Sequence, residues 1–116
     1  MLQQRTRGFA FALSGLALAW REEANFRIEV VCALLALTLS AVLSLSPLEF
    51  AVIVLTIAVV LTTEALNTAL EELCDKFQPT HDPHIKKIKD LAAAAVLLAS
   101  FGALVVGACL FLPHLW

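Results

Sequence analysis

The polar residues best placed to do chemistry form a line within an apolar part of the sequence. Successive members lie three, four and four residues apart, and they are Glu64, Asn67, Glu71 and Asp75. This spacing places all four side chains on one face of an α-helix. Carboxylates so arranged could bind a hard divalent cation or accept a proton from a hydroxyl group. We call this line the carboxylate stripe and take it as the candidate reactive surface.

Charge is scarce in most of the remaining chain. Of the 116 residues, 60% are apolar and 16% are charged, against about 45 to 50% and about 25% in soluble domains. Seven of the eighteen charges lie in 1–29 and ten in 64–90, and the remaining one is Glu49. This composition excludes a disordered tail and an ordinary soluble globule.

Three windows carry almost nothing that needs water, and they are 30–48, 50–63 and 91–116. A hydrocarbon core about 30 Å thick needs roughly 20 helical residues, so the first and third windows are long enough alone. The second is long enough only if it continues through the stripe to about residue 73. We predict an all-α integral membrane protein, one domain over 1–116 with transmembrane helices at about 28–47, 49–73 and 90–112.

The segment before the first window predicts a further helix. Its large apolar residues lie four, three and four positions apart, and they are Phe9, Leu13, Leu16 and Trp20. Such a stripe is typical of an amphipathic helix that lies in the membrane interface. We predict this surface helix at about 5–22.

The basic residues predict how the chain is oriented. Arginines precede the first window and lysines lie between the second and third, whereas the connection 44–49 has neither. By the positive-inside rule, the N-terminus and the second loop face the cytoplasm. The first loop and the C-terminus then face outward.

The depth of the stripe separates two interpretations. If the second span begins near Phe50, Glu64 lies about 21 Å along the helix and Glu71 about 31 Å. A lipid-facing acidic side chain costs on the order of 2.5 to 3.5 kcal/mol at mid-membrane. A solvated helix end would explain Asp75 well but Glu64 badly, so we expect Glu64 to face the protein interior.

Further polar groups lie at the same predicted boundary. Glu22, Glu23 and Glu29 precede the first span, and Lys86, Lys87, Lys89 and Asp90 open the third. The structural alternatives are an i, i+4 ion pair between Glu23 and Arg27 and simple anchoring by the lysines. Carboxylates with lysines suit Mg²⁺ and phosphate, which phosphoryl transfer requires. The chain has no Walker A or Gly-rich kinase loop.

Three segments carry a resemblance to a known family. They are WREEANFRIE at 20–29, EALNTALEELCD at 64–75 and KDLAAAAVL at 89–97. Together they resemble the signature of the small prokaryotic membrane diacylglycerol kinase and undecaprenol kinase family. The resemblance implies a homotrimeric bundle of three-span subunits in the bacterial inner membrane, with active sites shared between neighbours on the cytoplasmic side. It implies ATP, a membrane lipid alcohol and the bilayer as partners, Mg²⁺ as cofactor and no nucleic acid.

The resemblance also implies roles for individual residues. Glu64 resembles the catalytic base that takes the proton of the lipid hydroxyl, and Glu23 and Glu71 resemble ligands of the cation that bridges the ATP phosphates. The remaining matches are nucleotide contacts at Lys89, Asp90 and Asp82, and lipid-substrate contacts at Asn67, Asn25, Phe26 and Arg27. Asp82 stands where the family often has a histidine, and His81 is adjacent.

The sequence leaves alternatives open for the lipid substrate and for the class of function. The run 92–95 and the segment 25–28 are closer to undecaprenol kinases, whereas Glu29 is closer to diacylglycerol kinases. From another class, an oligomeric ion-conducting or proton-conducting protein would use Glu64 and Glu71 as rings in a pore. A non-catalytic membrane scaffold would need neither carboxylate.

Overall fold

The computed structural model describes residues 2–115, so Met1 and Trp116 lie outside the description. The described residues form helices joined by short turns and contain no strand. The elements in chain order are α1 (Leu2–Glu22), α2 (Ala24–Val42), α3 (Pro47–Phe77), α4 (Pro83–Phe111) and a 3₁₀ turn (Leu112–His114). The all-α prediction is therefore confirmed.

Three of the helices are long and apolar enough to cross a membrane, as predicted, and they comprise Ala24–Val42, Pro47–Phe77 and Pro83–His114. With 31 residues, α3 is about 46 Å long, which exceeds a hydrocarbon core of about 30 Å. Its excess length allows the charged end, which carries Glu71 and Asp75, to extend beyond the hydrocarbon core. The boundaries of the predicted spans themselves stay predictions.

The turn between α2 and α3 is fixed by a reciprocal cap. Glu49 N donates to Ser46 Oγ at 3.2 Å, and Ser46 N donates to Glu49 Oε1 at 3.0 Å. This capping box satisfies two backbone donors at the start of α3, and Pro47 follows at the first helical position. His114 Nε2 lies 3.6 Å from Glu49 Oε2. The 3₁₀ turn after α4 therefore meets the start of α3.

A sharp junction at Glu23 separates α1 from α2. Glu23 has extended backbone angles, φ −110° and ψ 108°. Arg27 donates Nη1 to the carbonyl oxygens of Trp20 at 2.8 Å and Arg21 at 3.0 Å, which are free because α1 ends there.

The alternative ion pair between Glu23 and Arg27 is absent from residues 2–115. The i, i+4 geometry needs an uninterrupted helix, and the chain leaves the helix at Glu23. Arg27 therefore joins the two helices through backbone carbonyls.

The five-residue connection 78–82 folds α4 back along α3, and these two helices form the most extensive helix pair. Asp82 begins α4, because its Oδ1 accepts from His84 N at 2.8 Å and Ile85 N at 3.1 Å. Pro83 follows at the first helical position. The polar end of α3 therefore lies beside the start of α4.

Very little of the described chain is buried. The buried residues are Phe26, Ser40, Ile53, Glu64 and Cys74. No residue of α4 is buried, and its large apolar residues Leu97, Leu98, Phe101 and Leu104 are exposed. A soluble monomer rarely leaves so much continuous apolar surface in water. Lipid or neighbouring chains therefore cover these helices.

The capping box leads to a stability prediction. Replacing Ser46 with Ala removes the acceptor for Glu49 N, and we expect the free energy of unfolding to fall by about 1 kcal/mol. Equilibrium unfolding in detergent micelles measures the change. Thr38→Ala is the matched control, because the Thr38 hydroxyl donates only to Leu34 O inside a helix. Equal shifts in the two variants would contradict a special role for the cap.

Candidate active site

The carboxylate stripe lies on one uninterrupted helix and passes from the interior to solvent. Glu64 is only 4% exposed and is the one buried charged residue among residues 2–115. Asn67 and Glu71 are half-buried, and Asp75 is exposed. The exposure of the stripe therefore rises along α3 from Glu64 to Asp75, and the membrane depth of these residues stays a prediction.

Glu64 faces other carboxylates rather than a cation. It lies within electrostatic reach of Glu23 at the α1–α2 junction, Glu29 on α2 and Glu71 on its own helix. Three parts of the chain therefore bring acidic groups to one place. Both predicted cation ligands, Glu23 and Glu71, flank the predicted base.

Sequence reasoning assigned no role to Glu29. Its Oε2 is buried and has no hydrogen-bond partner among the described residues. Phe26 lies three residues earlier on the same face of α2 and is buried. This i, i+3 relation to a large aromatic residue is the signal that could have placed Glu29 inside the bundle.

Asn67 and Glu71 form a hydrogen-bonded pair. Asn67 Nδ2 donates to Glu71 Oε1 at 3.1 Å, and Asn67 Oδ1 is buried without a partner among residues 2–115. The bond orients the carboxylate of Glu71 and satisfies one of its two oxygens. An unpartnered amide oxygen beside a carboxylate gives a set of oxygen ligands that suits a hard cation such as Mg²⁺.

The described residues contain no group of three acidic, histidine or cysteine side chains arranged to hold a metal. Mg²⁺ commonly takes only one or two protein carboxylates and completes its coordination with water and substrate phosphate oxygens. Glu23 and Glu71 fit that smaller requirement. Their role as cation ligands stays a prediction.

The three residues predicted to contact the nucleotide, Lys89, Asp90 and Asp82, each have a different partner. Lys89 Nζ lies 2.8 Å from Asp75 Oδ1 and within electrostatic reach of Glu71. Asp90 instead pairs along its own helix with Lys86 at 2.6 Å, and Asp82 caps α4. Only Lys89 is therefore turned toward the stripe.

The predicted lipid contacts lie at the α1–α2 junction. Phe26 is buried, Asn25 is exposed, and Arg27 ties the two helices together. Contact of these three residues with lipid stays a prediction.

An apolar groove extends from the acidic residues around Glu64 into the membrane-spanning part of the bundle. It has a volume of about 370 Å³ and lies between α2, α3 and α4. Glu29 lies in its wall, and the other lining residues are aliphatic or small except for the aromatic Phe111. A hydrocarbon chain fits such a surface better than a polar ligand does.

The fold and the site together define a class of protein: a helical membrane protein with three spans, acidic side chains gathered around one buried carboxylate, a lysine near them and an apolar groove. The chain matches, over residues 10–111, the model of the family described as prokaryotic diacylglycerol kinase. The chain belongs to this family, and the predicted resemblance is confirmed.

Some relatives of the chain are named diacylglycerol kinase and another is named undecaprenol kinase. The chain is 40% identical over 108 residues to a diacylglycerol kinase of Synechocystis sp., covering 92% of this chain and 62% of that protein. It therefore spans about three fifths of that relative's length. It is 33% identical to an undecaprenol kinase of Bacillus subtilis, over 94% of this chain and 89% of the relative. It is 30% identical to a diacylglycerol kinase of Escherichia coli, over 90% and 85%.

The crowding of carboxylates leads to a second stability prediction. Replacing Glu64 with Gln removes one of several neighbouring negative charges at a buried position and supplies an amide donor. We expect the free energy of unfolding to rise by about 0.5 to 2 kcal/mol, measured by unfolding in detergent micelles. Glu72→Gln removes an exposed charge from the same helix and should change stability much less. Destabilisation by Glu64→Gln would show that the carboxylate is needed for folding.

Proposed function

We propose that the protein is an ATP-dependent lipid kinase. It transfers the γ-phosphate of ATP to a membrane lipid alcohol, converting diacylglycerol to phosphatidic acid or undecaprenol to undecaprenyl phosphate. The observation that carries the proposal is the buried Glu64 carboxylate, which lies near the junction of an apolar groove and a polar helix end. The names of the relatives point to the same reaction class.

Glu64 is proposed as the general base. The hydroxyl oxygen of the lipid attacks the γ-phosphorus, and the bond from that phosphorus to the bridging oxygen of ADP breaks. Glu64 accepts the hydroxyl proton, and ADP leaves. A carboxylate on the lipid side of the boundary is suited to this step, because it can reach an alcohol that stays in the bilayer.

The phosphates would lie on the water side of Glu64. Glu23 and Glu71 would hold Mg²⁺, with Asn67 orienting Glu71 through their hydrogen bond. When bound, the cation would neutralise charge on the phosphate oxygens. Lys89 would bind phosphate oxygens directly, and Asp90 and Asp82 are the further proposed contacts with the nucleotide.

The lipid would approach from the apolar side. The groove offers aliphatic surface for one hydrocarbon chain, and Asn25, Phe26 and Arg27 at the α1–α2 junction are the proposed contacts near the alcohol. These features suit both diacylglycerol and undecaprenol. Both lipids therefore belong to the proposal.

The proposed assembly is a homotrimer in the bacterial inner membrane, with active sites shared between neighbours on the cytoplasmic side. The exposed apolar faces of α4 support contact with lipid and neighbouring subunits. The arginines and lysines around the acidic cluster support the orientation. An ion-conducting protein would need the carboxylates alone and gives Lys89 no role.

A kinase assay tests the proposal. Purified protein in mixed micelles receives labelled ATP with diacylglycerol or undecaprenol, and we expect label in at least one lipid product. Glu64→Gln should lower kcat by about 100-fold or more, because general-base catalysis contributes roughly 10²- to 10⁴-fold. Glu72→Gln, on the same helix, should remain near wild type. No product with either lipid, or full activity in Glu64→Gln, would contradict the proposal.

The cation requirement is tested separately. Chelation of divalent cations should abolish transfer, and added Mg²⁺ should restore it. Glu71→Gln should raise the Mg²⁺ concentration that gives half-maximal rate, because one anionic ligand is lost. An unchanged Mg²⁺ dependence in Glu71→Gln would remove Glu71 from the proposed cation site.

A further inference from the structure

One ion pair joins the polar ends of α3 and α4. Lys89 Nζ lies 2.8 Å from Asp75 Oδ1 across a separation of fourteen residues in the sequence. Among residues 2–115, it is the only ion pair between these two helices. Asp75 is the last member of the carboxylate stripe, and it takes no part in the proposed catalytic steps.

The ion pair between Lys86 and Asp90 differs from the Lys89–Asp75 pair because it lies within one helix. Lys86 and Asp90 are four residues apart on α4, so they can pair independently of the position of α3. The Lys89–Asp75 pair forms only when α4 is folded back on α3. It therefore sets the position of the Lys89 ammonium relative to the stripe.

Stability does not account for this pair. The Lys89 and Asp75 side chains are 37% and 65% exposed, and ion pairs exposed to that degree contribute little to folding. The hairpin is already held by the Asp82 cap and by the long contact between α3 and α4. The main consequence of the pair is the location of one cation.

The position of the Lys89 ammonium group bears on how the protein would bind phosphate. Asp75 follows Glu71 by four residues on α3, and Lys89 lies within electrostatic reach of both. An ammonium group has three donors, and Asp75 takes one. Two donors remain within electrostatic reach of Glu71, the proposed cation ligand.

We propose that Asp75 is a positioning residue for phosphate binding, which acts by holding the Lys89 ammonium beside Glu71. The inference rests on the proposed lipid kinase function. Without Asp75, the flexible four-carbon stem of Lys89 is free to place the charge elsewhere. Binding of ATP then has to order the side chain, and affinity for ATP falls.

The opposite role would give the opposite result. If Asp75 instead competes with phosphate for Lys89, its removal would tighten ATP binding. The sign of the change in the KM for ATP separates the two roles. A purely structural role would lower stability and affect both substrates alike.

The experiment compares Asp75→Asn with Asp75→Glu and the wild type. For Asp75→Asn we expect the KM for ATP and the Kd of ATP to rise about threefold to tenfold, the effect of freeing one rotamer-rich side chain. The KM for the lipid and the unfolding midpoint should hold, and kcat should change less than twofold. Asp75→Glu should recover part of the affinity. In a Lys89→Gln background, Asp75→Asn should have no further effect.

The outcomes are distinguishable. An active wild type with unchanged or tighter ATP binding in Asp75→Asn overturns this inference and leaves the kinase intact. An equal loss in Asp75→Asn with and without Lys89 also overturns it. A wild type that neither binds ATP nor phosphorylates a lipid overturns both the inference and the proposed function. Glu72→Gln serves as the control for loss of one negative charge on α3.

Discussion

Other features of the structure depend on one constraint: the carboxylate of Glu64 is enclosed by apolar helices. Glu64 gives up most of its contact with water, and no cation pairs with it among residues 2–115. It faces Glu23, Glu29 and Glu71 instead. Such an arrangement lowers stability and persists where the group has a task that a neutral residue cannot perform. The surrounding helices are best understood as the means of holding these like charges together.

Each connection in the chain contributes to that confinement. The junction at Glu23 ends α1 and brings an acidic residue to Glu64, and Arg27 fixes the junction by bonding to backbone carbonyls. The capping box at Ser46 begins α3, so the helix is long enough to carry Glu71 and Asp75 out toward water. Asp82 begins α4 where Lys89 can reach the stripe. Short turns therefore determine which charges meet.

The sequence predicts the helices and the stripe well because both follow from periodicity. Apolar windows of sufficient length and polar residues at helical spacing require no knowledge of tertiary contacts. The partners of individual side chains are less predictable. The i, i+4 spacing offers Arg27 an ion pair with Glu23 as an alternative, but the helix break at Glu23 removes that geometry. The spacing from Phe26 could have placed Glu29 inside the bundle, but the approach of Glu29 to Glu64 and the Lys89–Asp75 pair depend on how α2 and α4 pack against α3.

The division of the site into a polar end and an apolar groove also bears on which lipid the protein would select. For the proposed kinase, the polar end would make the same contacts with ATP whichever alcohol is phosphorylated. The groove is lined almost entirely by aliphatic and small side chains, so it can select by width and chain shape but hardly by hydrogen bonding. Hydrophobic pockets discriminate weakly between chains that differ by a few carbons. Selection between two acyl chains and one branched prenyl chain would therefore depend on groove width, which the packing of α2, α3 and α4 determines together with any neighbouring subunit.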